Sequence, residues 1–110
     1  MSSEFEPNGR RICGIADALQ LVGDRWALLA IRELAFGVTR FNDIQANTGA
    51  PRASLAARLR ELEDAGLVER RPYSSRPPRD EYVLTPAGRE LGPVLKELRT
   101  WGERHASSRL

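Results

Sequence analysis

The chain has little of the chemistry that catalysis and metal binding need. It contains one cysteine, Cys13, and one histidine, His105, which lie far apart in the sequence. A single cysteine excludes an internal disulfide and a C-x-x-C metal site, and no glycine-rich segment has the spacing of a phosphate-binding loop. The carboxylates are scattered among arginines instead of being gathered between apolar residues. We therefore expect neither an enzyme nor a bound metal or cofactor.

Long apolar segments are also missing. No run approaches the roughly 20 residues that span a bilayer, and the polar first eight residues do not resemble a signal peptide. These features favour a cytoplasmic protein with no membrane partner. At 110 residues the chain has room for one domain. We place that domain at residues 10–105, between a flexible arm at residues 1–9 and a flexible tail at residues 106–110.

Lysine is nearly absent, whereas arginine is abundant. All but one of the 17 basic side chains are arginines, the exception being Lys96, and the formal net charge is only +2. So small a net charge does not by itself indicate nucleic-acid binding, and a GC-rich coding sequence would also enrich arginine. The guanidinium group nevertheless matches phosphates and guanine edges in a way that an ammonium group does not. The positions of the arginines are therefore more informative than the total charge.

Glycines separate a series of helical patterns. The first helix has an apolar residue at every third or fourth position from Ile12 to Val22, and Gly23 is expected to end it in the left-handed conformation. Asp24 is predicted to cap the second helix, residues 25–36. That helix is apolar on most of its circumference, so it should be the central, buried helix.

A helix-turn-helix motif is predicted in the middle of the chain. Thr39 is expected to cap a short third helix, Gly49 to turn the chain, and Pro51 to occupy the first position of the fourth helix. Two helices joined by a short glycine-containing turn are typical of this motif. The apolar side of the fourth helix consists of Leu55, Leu59 and Leu62.

The segment after the fourth helix predicts a wing. Residues 67–72 and 80–85 read as two strands, and the prolines at positions 77 and 78 place the tip of the hairpin between them. One last helix is expected to begin at Thr85 and Pro86. The order α-α-α-α-β-β-α is that of a mainly α winged helix-turn-helix with a small β-hairpin wing.

The fourth helix and the wing tip carry the predicted DNA contacts. In a helix-turn-helix the first residues of the second helix reach base edges in the major groove. The side that the leucines leave free starts with small and basic residues, so Arg52 is expected to pair with guanine and Arg58 to contact phosphate. The predicted DNA-contacting residues are Arg40, Arg52, Ala53, Ser54, Ala57, Arg58, Arg76 and Arg79. The alternatives are a solvated charged face and a winged helix that binds only protein.

Four segments together resemble a known family. They are "LQLVGDRWALLAIREL", "TRFNDIQANTGA", "LAARLRELEDAGLVERRPY" and "PPRDEYVLTPAGREL", and the similarity extends with preserved spacing from about Cys13 to Trp101. The chain is similar to the HxlR-type winged helix-turn-helix transcriptional regulators. The resemblance implies a small bacterial homodimer that binds double-stranded DNA at an operator and activates or represses nearby genes. Many members of that family respond to oxidants, electrophiles or aldehydes.

Cys13 and Trp26 are the candidate residues for sensing an effector. Cys13 falls where many members of that family carry a redox-sensing cysteine, and a thiol near a helix N-terminus and arginines can react as its thiolate. Without a second cysteine, the options are a disulfide to a partner chain, a mixed disulfide with a small molecule, or alkylation. An inert buried thiol is the alternative. For Trp26, core packing or a dimer contact is the alternative to lining a ligand pocket.

The first and last helices offer more apolar surface than a small wing can cover, which predicts a homodimer. The candidate dimer residues are Ile15, Leu19, Leu91, Leu95, Leu98 and Trp101. A shared two-fold axis would present two recognition helices about 34 Å apart, the spacing of half-sites one helical turn apart in an inverted repeat. Packing of the same surface within one chain is the alternative.

Overall fold

The computed structural model describes residues 5–106. The helices are α1 (Gly14–Val22), α2 (Arg25–Ala35), α3 (Phe41–Thr48), α4 (Arg52–Asp64), α5 (Pro86–Arg89) and α6 (Gly92–His105). The strands, β1 (Val68–Ser75) and β2 (Pro78–Leu84), lie between α4 and α5 in the sequence and pair antiparallel as a hairpin. The chain is therefore mainly helical with a two-stranded wing, as predicted from the sequence.

The core is built around α2. Its residues Ala30 and Ile31 have no exposed surface. The other large side chains that are fully buried are Ile44, Leu55, Leu59, Leu62 and Val68. They come from α3, α4 and β1, so the helix-turn-helix and the base of the wing share one core with α2. The apolar side predicted for α4 is confirmed, because its three leucines recur at helical spacing and all face α2 and its neighbours.

The predicted cap at Asp24 is confirmed, whereas the predicted conformation of Gly23 is wrong. The Asp24 carboxylate accepts hydrogen bonds from the N–H groups of Trp26 (2.8 Å) and Ala27 (3.2 Å). Gly23 has a φ of −76°, which lies in the right-handed region. Glycine is needed there for space, because a Cβ would collide with the Leu19 carbonyl oxygen.

Thr39 does not cap α3, contrary to the prediction. The N-cap position is Arg40, whose side chain makes no capping hydrogen bond. The Thr39 hydroxyl instead donates to the Glu81 carboxylate (3.0 Å), and the Thr39 carbonyl accepts from the Tyr82 N–H (2.8 Å). Both partners lie in β2, so a contact with the wing replaces the expected local cap.

The hairpin loop is shorter than predicted. β1 extends to Ser75 and β2 begins at Pro78, so that Arg76 and Pro77 alone connect the two strands. Proline fits the first residue of a strand, where no ladder N–H is required. The two prolines therefore lie at the turn, as predicted, but one of them already belongs to the returning strand.

The single last helix predicted from the sequence is two helices. Thr85 caps α5 as expected, since its hydroxyl accepts from the Gly88 N–H (3.1 Å), but α5 ends at Arg89. α6 begins at Gly92, directly before Pro93. Proline lacks the N–H that would continue the α5 ladder, and its ring collides with the carbonyl four residues earlier. The chain therefore breaks between the two helices.

The predicted flexible arm and tail lie partly outside the described residues, which exclude 1–4 and 107–110. In the described part of the arm, Phe5 and Arg11 form an isolated antiparallel β-bridge, and the Arg11 guanidinium lies 4.7 Å from the centroid of the Phe5 ring. The flexibility of both ends stays a prediction. Between residues 5 and 106, no helix has the length and apolar character needed to cross a membrane.

Candidate nucleic-acid interface

A short turn fixes α4 against α3. Gly49 ends α3 with a φ of 75°, in the left-handed region, and the following Ala50 is fully buried. The Gln45 side-chain amide donates to the Ala50 carbonyl (3.0 Å), and the Thr48 hydroxyl accepts from the Ala50 N–H (3.2 Å). Because both backbone groups of this buried residue have partners, the turn defines where α4 begins.

The exposed side of α4 begins without a carboxylate. No acidic residue occurs in its first turn, so the positive end of the helix dipole and the unpaired N–H groups are not neutralised. Arg52 and Ala53 are exposed, whereas Ser54, Ala57 and Arg58 are half-buried. Of the contacts predicted on this helix, the first two therefore present the most surface to a ligand.

Arg52 is held against α3. Its guanidinium donates to the Asn42 side-chain oxygen (3.0 Å) and lies 4.8 Å from the centroid of the Phe41 ring. Arg52 thus bridges the N-terminal ends of the two helices of the motif. It forms no ion pair with any residue between 5 and 106. The remaining N–H donors of the guanidinium are therefore available to a phosphate or a guanine edge.

Arg58 forms ion pairs with two carboxylates of its own chain. Its Nη1 lies 3.4 Å from Asp24 Oδ2, its Nε lies 3.0 Å from Glu61 Oε1, and its side chain is 28% exposed. Asp24 is the N-cap of α2, so its ion pair with Arg58 joins α4 to the start of α2, whereas the pair with Glu61 lies within α4. A phosphate contact by Arg58 stays a prediction, and phosphate would compete there with two carboxylates.

Arg76 and Arg79 lie at the tip of the wing. Arg76 is in the loop, and Arg79 pairs with Ser74 across the hairpin. Both are exposed, and neither forms an ion pair within the described part of the chain. The two arginines nearer the base of β1 are instead paired with glutamates at 3.1 and 3.4 Å. The unpaired positive charge of the wing is therefore concentrated at its tip.

Arg40 lies where α3 meets the wing. Its guanidinium is 4.4 Å from the centroid of the Tyr73 ring, which belongs to β1. This cation–π contact positions the Arg40 side chain, and Arg40 remains exposed to solvent. The predicted interface residues thus fall in three places, namely the start of α4, the wing tip and the junction of α3 with the wing.

Arg60 was not among the residues predicted from the sequence. It is exposed on α4 and forms no ion pair with the residues that the structure describes. It follows Ala53 by seven positions, about two helical turns, so the two side chains lie on the same side of the helix. The seven-residue spacing from Ala53 could therefore have identified Arg60 from the sequence as part of the predicted DNA-facing side of the helix.

Cys13 and the candidate dimer residues of α1 share a poorly covered helix. Cys13 is the N-cap residue of α1, half-buried and with a free thiol. Ile15 and Leu19 are 72% and 56% exposed, while Val22 is the one residue of α1 that is buried. Most of the apolar side of α1 is therefore open within a single chain.

The apolar stripe predicted on α6 is divided between two directions. Leu91 and Leu95 pack partly against the core of their own chain, whereas Leu98 and Trp101 are exposed. Val94, which the sequence prediction omitted, is also exposed and precedes them by four and seven positions, on the same side of the helix. The outer part of the stripe is therefore the part available to a second chain.

Trp26 lies at the edge of the core. It is half-buried against the core, and the Arg25 guanidinium lies 5.4 Å from the centroid of its ring. Together with Leu29 and Thr48 it lines an open cavity of about 610 Å³. A role for Trp26 in effector binding stays a prediction. In the range 5–106, histidine, cysteine, aspartate and glutamate form no group of three or more that could hold a metal ion.

The amino-acid sequence of this chain matches a known family model. The family model described as HxlR-like helix-turn-helix matches residues 21–109, which is most of the chain. The chain belongs to the HxlR-like helix-turn-helix family. The family identification made from the sequence is therefore confirmed.

Relatives of this HxlR-like chain include proteins from distant organisms. An uncharacterized HTH-type transcriptional regulator of Mycobacterium tuberculosis is 50% identical over 91 residues, which cover 83% of this chain and 58% of the relative. The HTH-type transcriptional regulator YdeP of Bacillus subtilis is 34% identical over 94 residues, which cover 84% of this chain and 73% of YdeP. The HxlR-like chain thus spans less than two thirds of the length of the mycobacterial relative.

Two solved structures of regulators are similar to the HxlR-like chain over most of its length. The reduced form of the transcriptional regulator YodB from Bacillus subtilis has a TM-score of 0.71 at 30% identity, covering 90% of this chain and 99% of YodB. The redox regulator HypR in its reduced form has a TM-score of 0.77 at 30% identity, covering 86% of this chain and 95% of HypR.

Proposed function

We propose that this HxlR-like chain is a sequence-specific DNA-binding transcriptional regulator that binds an inverted repeat as a homodimer. The observation that carries the proposal is the start of α4, where Arg52 and Ala53 are exposed and no carboxylate is present. This end of the second helix is the part of a helix-turn-helix that reads base edges. Relatives named HTH-type transcriptional regulators support the same function.

The exposed arginines have different proposed roles. Arg52, at the start of α4, reads a guanine in the major groove, where its guanidinium can make a bidentate pair. Arg76 and Arg79 reach phosphates or the minor groove beside it from the wing tip. Arg40 and Arg60 add phosphate contacts that position the chain without reading sequence.

The proposed dimer forms through α1 and α6. Ile15 and Leu19 on α1 and Leu98 and Trp101 on α6 are exposed apolar side chains, and the proposal joins them in one contiguous apolar surface of the kind that marks interaction sites. A two-fold axis uses the same surface on both chains. It would place the recognition helices about 34 Å apart, which matches two half-sites separated by one turn of DNA.

The proposed response to oxidants or electrophiles rests on Cys13. The similar structures include a regulator described as a redox regulator. Cys13 is the N-cap of α1, so modification of its thiol would act on a helix of the proposed dimer interface. Oxidation would join Cys13 to the same residue of a partner chain or to a small thiol, since this chain has one cysteine.

Selection of genomic DNA fragments tests the function. Purified protein is mixed with fragmented DNA of its source organism, and the retained fragments are sequenced under reducing conditions. The expected result is enrichment of a short inverted repeat, which a double Arg52→Ala, Arg79→Ala variant fails to enrich. No enrichment by a folded wild-type dimer contradicts the proposal and favours a module that binds protein.

The oligomeric state is measured on the same sample by light scattering. A dimer at micromolar concentration is expected, and Leu19→Glu with Trp101→Glu should convert it to monomer, because both substitutions place charge on the exposed apolar surface. A wild-type protein that is a uniform monomer contradicts the dimer. DNA enrichment by such a monomer would leave the helix-turn-helix function standing.

A further inference from the structure

A groove of about 480 Å³ lies between α2 and α6. Its volume is within the range of small-molecule sites, roughly 300–1,000 Å³. The apolar part of its wall consists of Leu28, Leu29, Ala35, Phe36, Leu95 and Leu98. Phe36 is 66% exposed although it is a large aromatic residue. The groove therefore holds apolar surface that this chain does not cover by itself.

Three cations border this apolar surface, and no acidic residue lines the groove. Arg32 is already paired, with its Nε 2.8 Å from Glu33 Oε2. Lys96 and Arg99 form no ion pair with any residue between 5 and 106. The groove thus presents two cations that lack a counter-charge beside an apolar wall.

Lys96 and Arg99 are placed to act on one ligand. They are three positions apart on α6, so their side chains project from the same side of the helix. Leu95 directly precedes Lys96, Leu98 directly precedes Arg99, and both leucines form part of the apolar wall. Leu98 is also one of the residues proposed for the dimer, so it belongs to both surfaces. A molecule that lies against these leucines therefore has both cations within reach of one end.

We propose that the α2–α6 groove binds a small organic anion, an aromatic or branched aliphatic carboxylate. The apolar body of the ligand packs against Leu28, Leu29 and Phe36, and its carboxylate lies between Lys96 and Arg99. Charge complementarity favours an anionic ligand over a neutral one, because a neutral apolar molecule would leave Lys96 and Arg99 without a counter-charge. Neither Cys13 nor Trp26 lines this groove, but the cavity that Trp26 lines adjoins it and shares Leu28, Leu29 and Leu98 with it.

Calorimetric titration of the full chain tests the proposal with 1-naphthoate as the probe. Its amide, 1-naphthamide, has the same ring system without the charge and serves as the matched ligand. The matched protein control is Arg104→Gln, since Arg104 is on α6 but does not line the groove. We expect saturable binding of one naphthoate per chain and unchanged affinity in Arg104→Gln. The wild-type chain should bind the amide at least about tenfold more weakly than naphthoate. The Lys96→Gln, Arg99→Gln double variant should likewise bind naphthoate at least about tenfold more weakly than the wild-type chain does.

Three results would overturn the proposal. One is the absence of saturable naphthoate binding by the wild-type chain. Another is equal affinity for acid and amide that the double variant does not change. The third is a dimer that binds no naphthoate and becomes monomeric in Leu29→Glu, which would assign the groove to a second copy of the chain. Circular dichroism checks folding of the double variant, and Arg99→Gln alone replaces it if it does not fold.

Discussion

Glu33 in α2 accepts a 2.8 Å hydrogen bond from the Asn47 side chain in α3 through its Oε1 atom. Its Oε2 pairs with Arg32 Nε at 2.8 Å, and Arg32 also donates to the Asn47 carbonyl (3.2 Å). Glu33 is 4% exposed, and a buried carboxylate is costly unless its oxygens have partners. These contacts hold the C-terminal end of α3, next to the Gly49 turn that leads to α4.

Removal of the buried carboxylate is expected to destabilise the protein. In Glu33→Ala, Arg32 and Asn47 lose their shared acceptor, and the free energy of unfolding should fall by about 1–3 kcal/mol. Urea denaturation followed by circular dichroism measures the change. The control is Glu97→Ala, an exposed carboxylate on α6, for which we expect a change within about 0.5 kcal/mol. Similar losses in both variants would contradict the role assigned to Glu33.

Two glycines are expected to respond to alanine with opposite signs. At Gly49 the φ of 75° disfavours a Cβ, so Gly49→Ala should cost about 1–2 kcal/mol, although an added methyl would touch nothing. At Gly102, inside α6, the added methyl also meets open space, and alanine should stabilise the helix by about 1 kcal/mol. Urea denaturation of both variants checks the signs. Equal effects would show that backbone conformation does not decide the cost at Gly49.

The wing arginines are expected to contribute charge and not sequence preference. Arg79→Ala should weaken binding to all DNA sequences and reduce the slope of log affinity against log salt by about one phosphate contact. Arg58→Ala is the comparison, because its charge is already neutralised by Asp24 and Glu61 and its loss should change the slope less. Fluorescence anisotropy titrations at several salt concentrations supply both slopes. The reverse order would move the phosphate contact from the wing to Arg58.

Arg52 is expected to contribute sequence preference. Arg52→Ala should cost about 1–3 kcal/mol on the operator and relax the preference at one base pair. The measurement is affinity for the operator and for a set of operators with single base-pair changes. If Arg52→Ala weakens every sequence equally, Arg52 contacts phosphate and the reading of guanine is wrong.

Cys13 is expected to make operator binding sensitive to thiol oxidants. Treatment with diamide should lower operator affinity of the wild-type protein, while Cys13→Ser should bind equally well with and without diamide. Mass spectrometry of the treated protein identifies the adduct, either a disulfide between two chains or a mixed disulfide with an added small thiol. Loss of affinity in both proteins would mean that the oxidant acts elsewhere, and no loss in either would exclude Cys13 as a switch.

Much of the fold was predictable because its signals are local. The Asp24 cap, the Gly49 turn and the leucine spacing of α4 each depend on residues within one or two helical turns. The wing was predicted in the same way, from two strand-like segments and the prolines at positions 77 and 78 between them. The error at Thr39 arose where a local rule met a contact with β2 that the local sequence does not contain.

Long-range contacts were the part that the sequence could not reveal. Thr39 binds Glu81, which is 42 positions away, and Arg58 pairs with Asp24 across 34 positions. For each of these side chains, residues of suitable chemistry also occur closer in the sequence, so sequence spacing alone does not identify the partner. The burial of Glu33 likewise depends on how α3 lies against α2.

The sequence by itself determined the order of helices and strands as far as β2 and the side of α4 that is buried, because periodicity and turn chemistry depend on neighbouring residues. Its resemblance to known regulators indicated the family. Only the tertiary structure decided which arginines are available to a ligand. Their guanidinium groups are chemically alike, but packing brings carboxylates to Arg32 and Arg58 and leaves Arg60, Arg79 and Arg99 without one among the described residues. The same charge therefore stabilises the fold at some positions and is open to a partner at others.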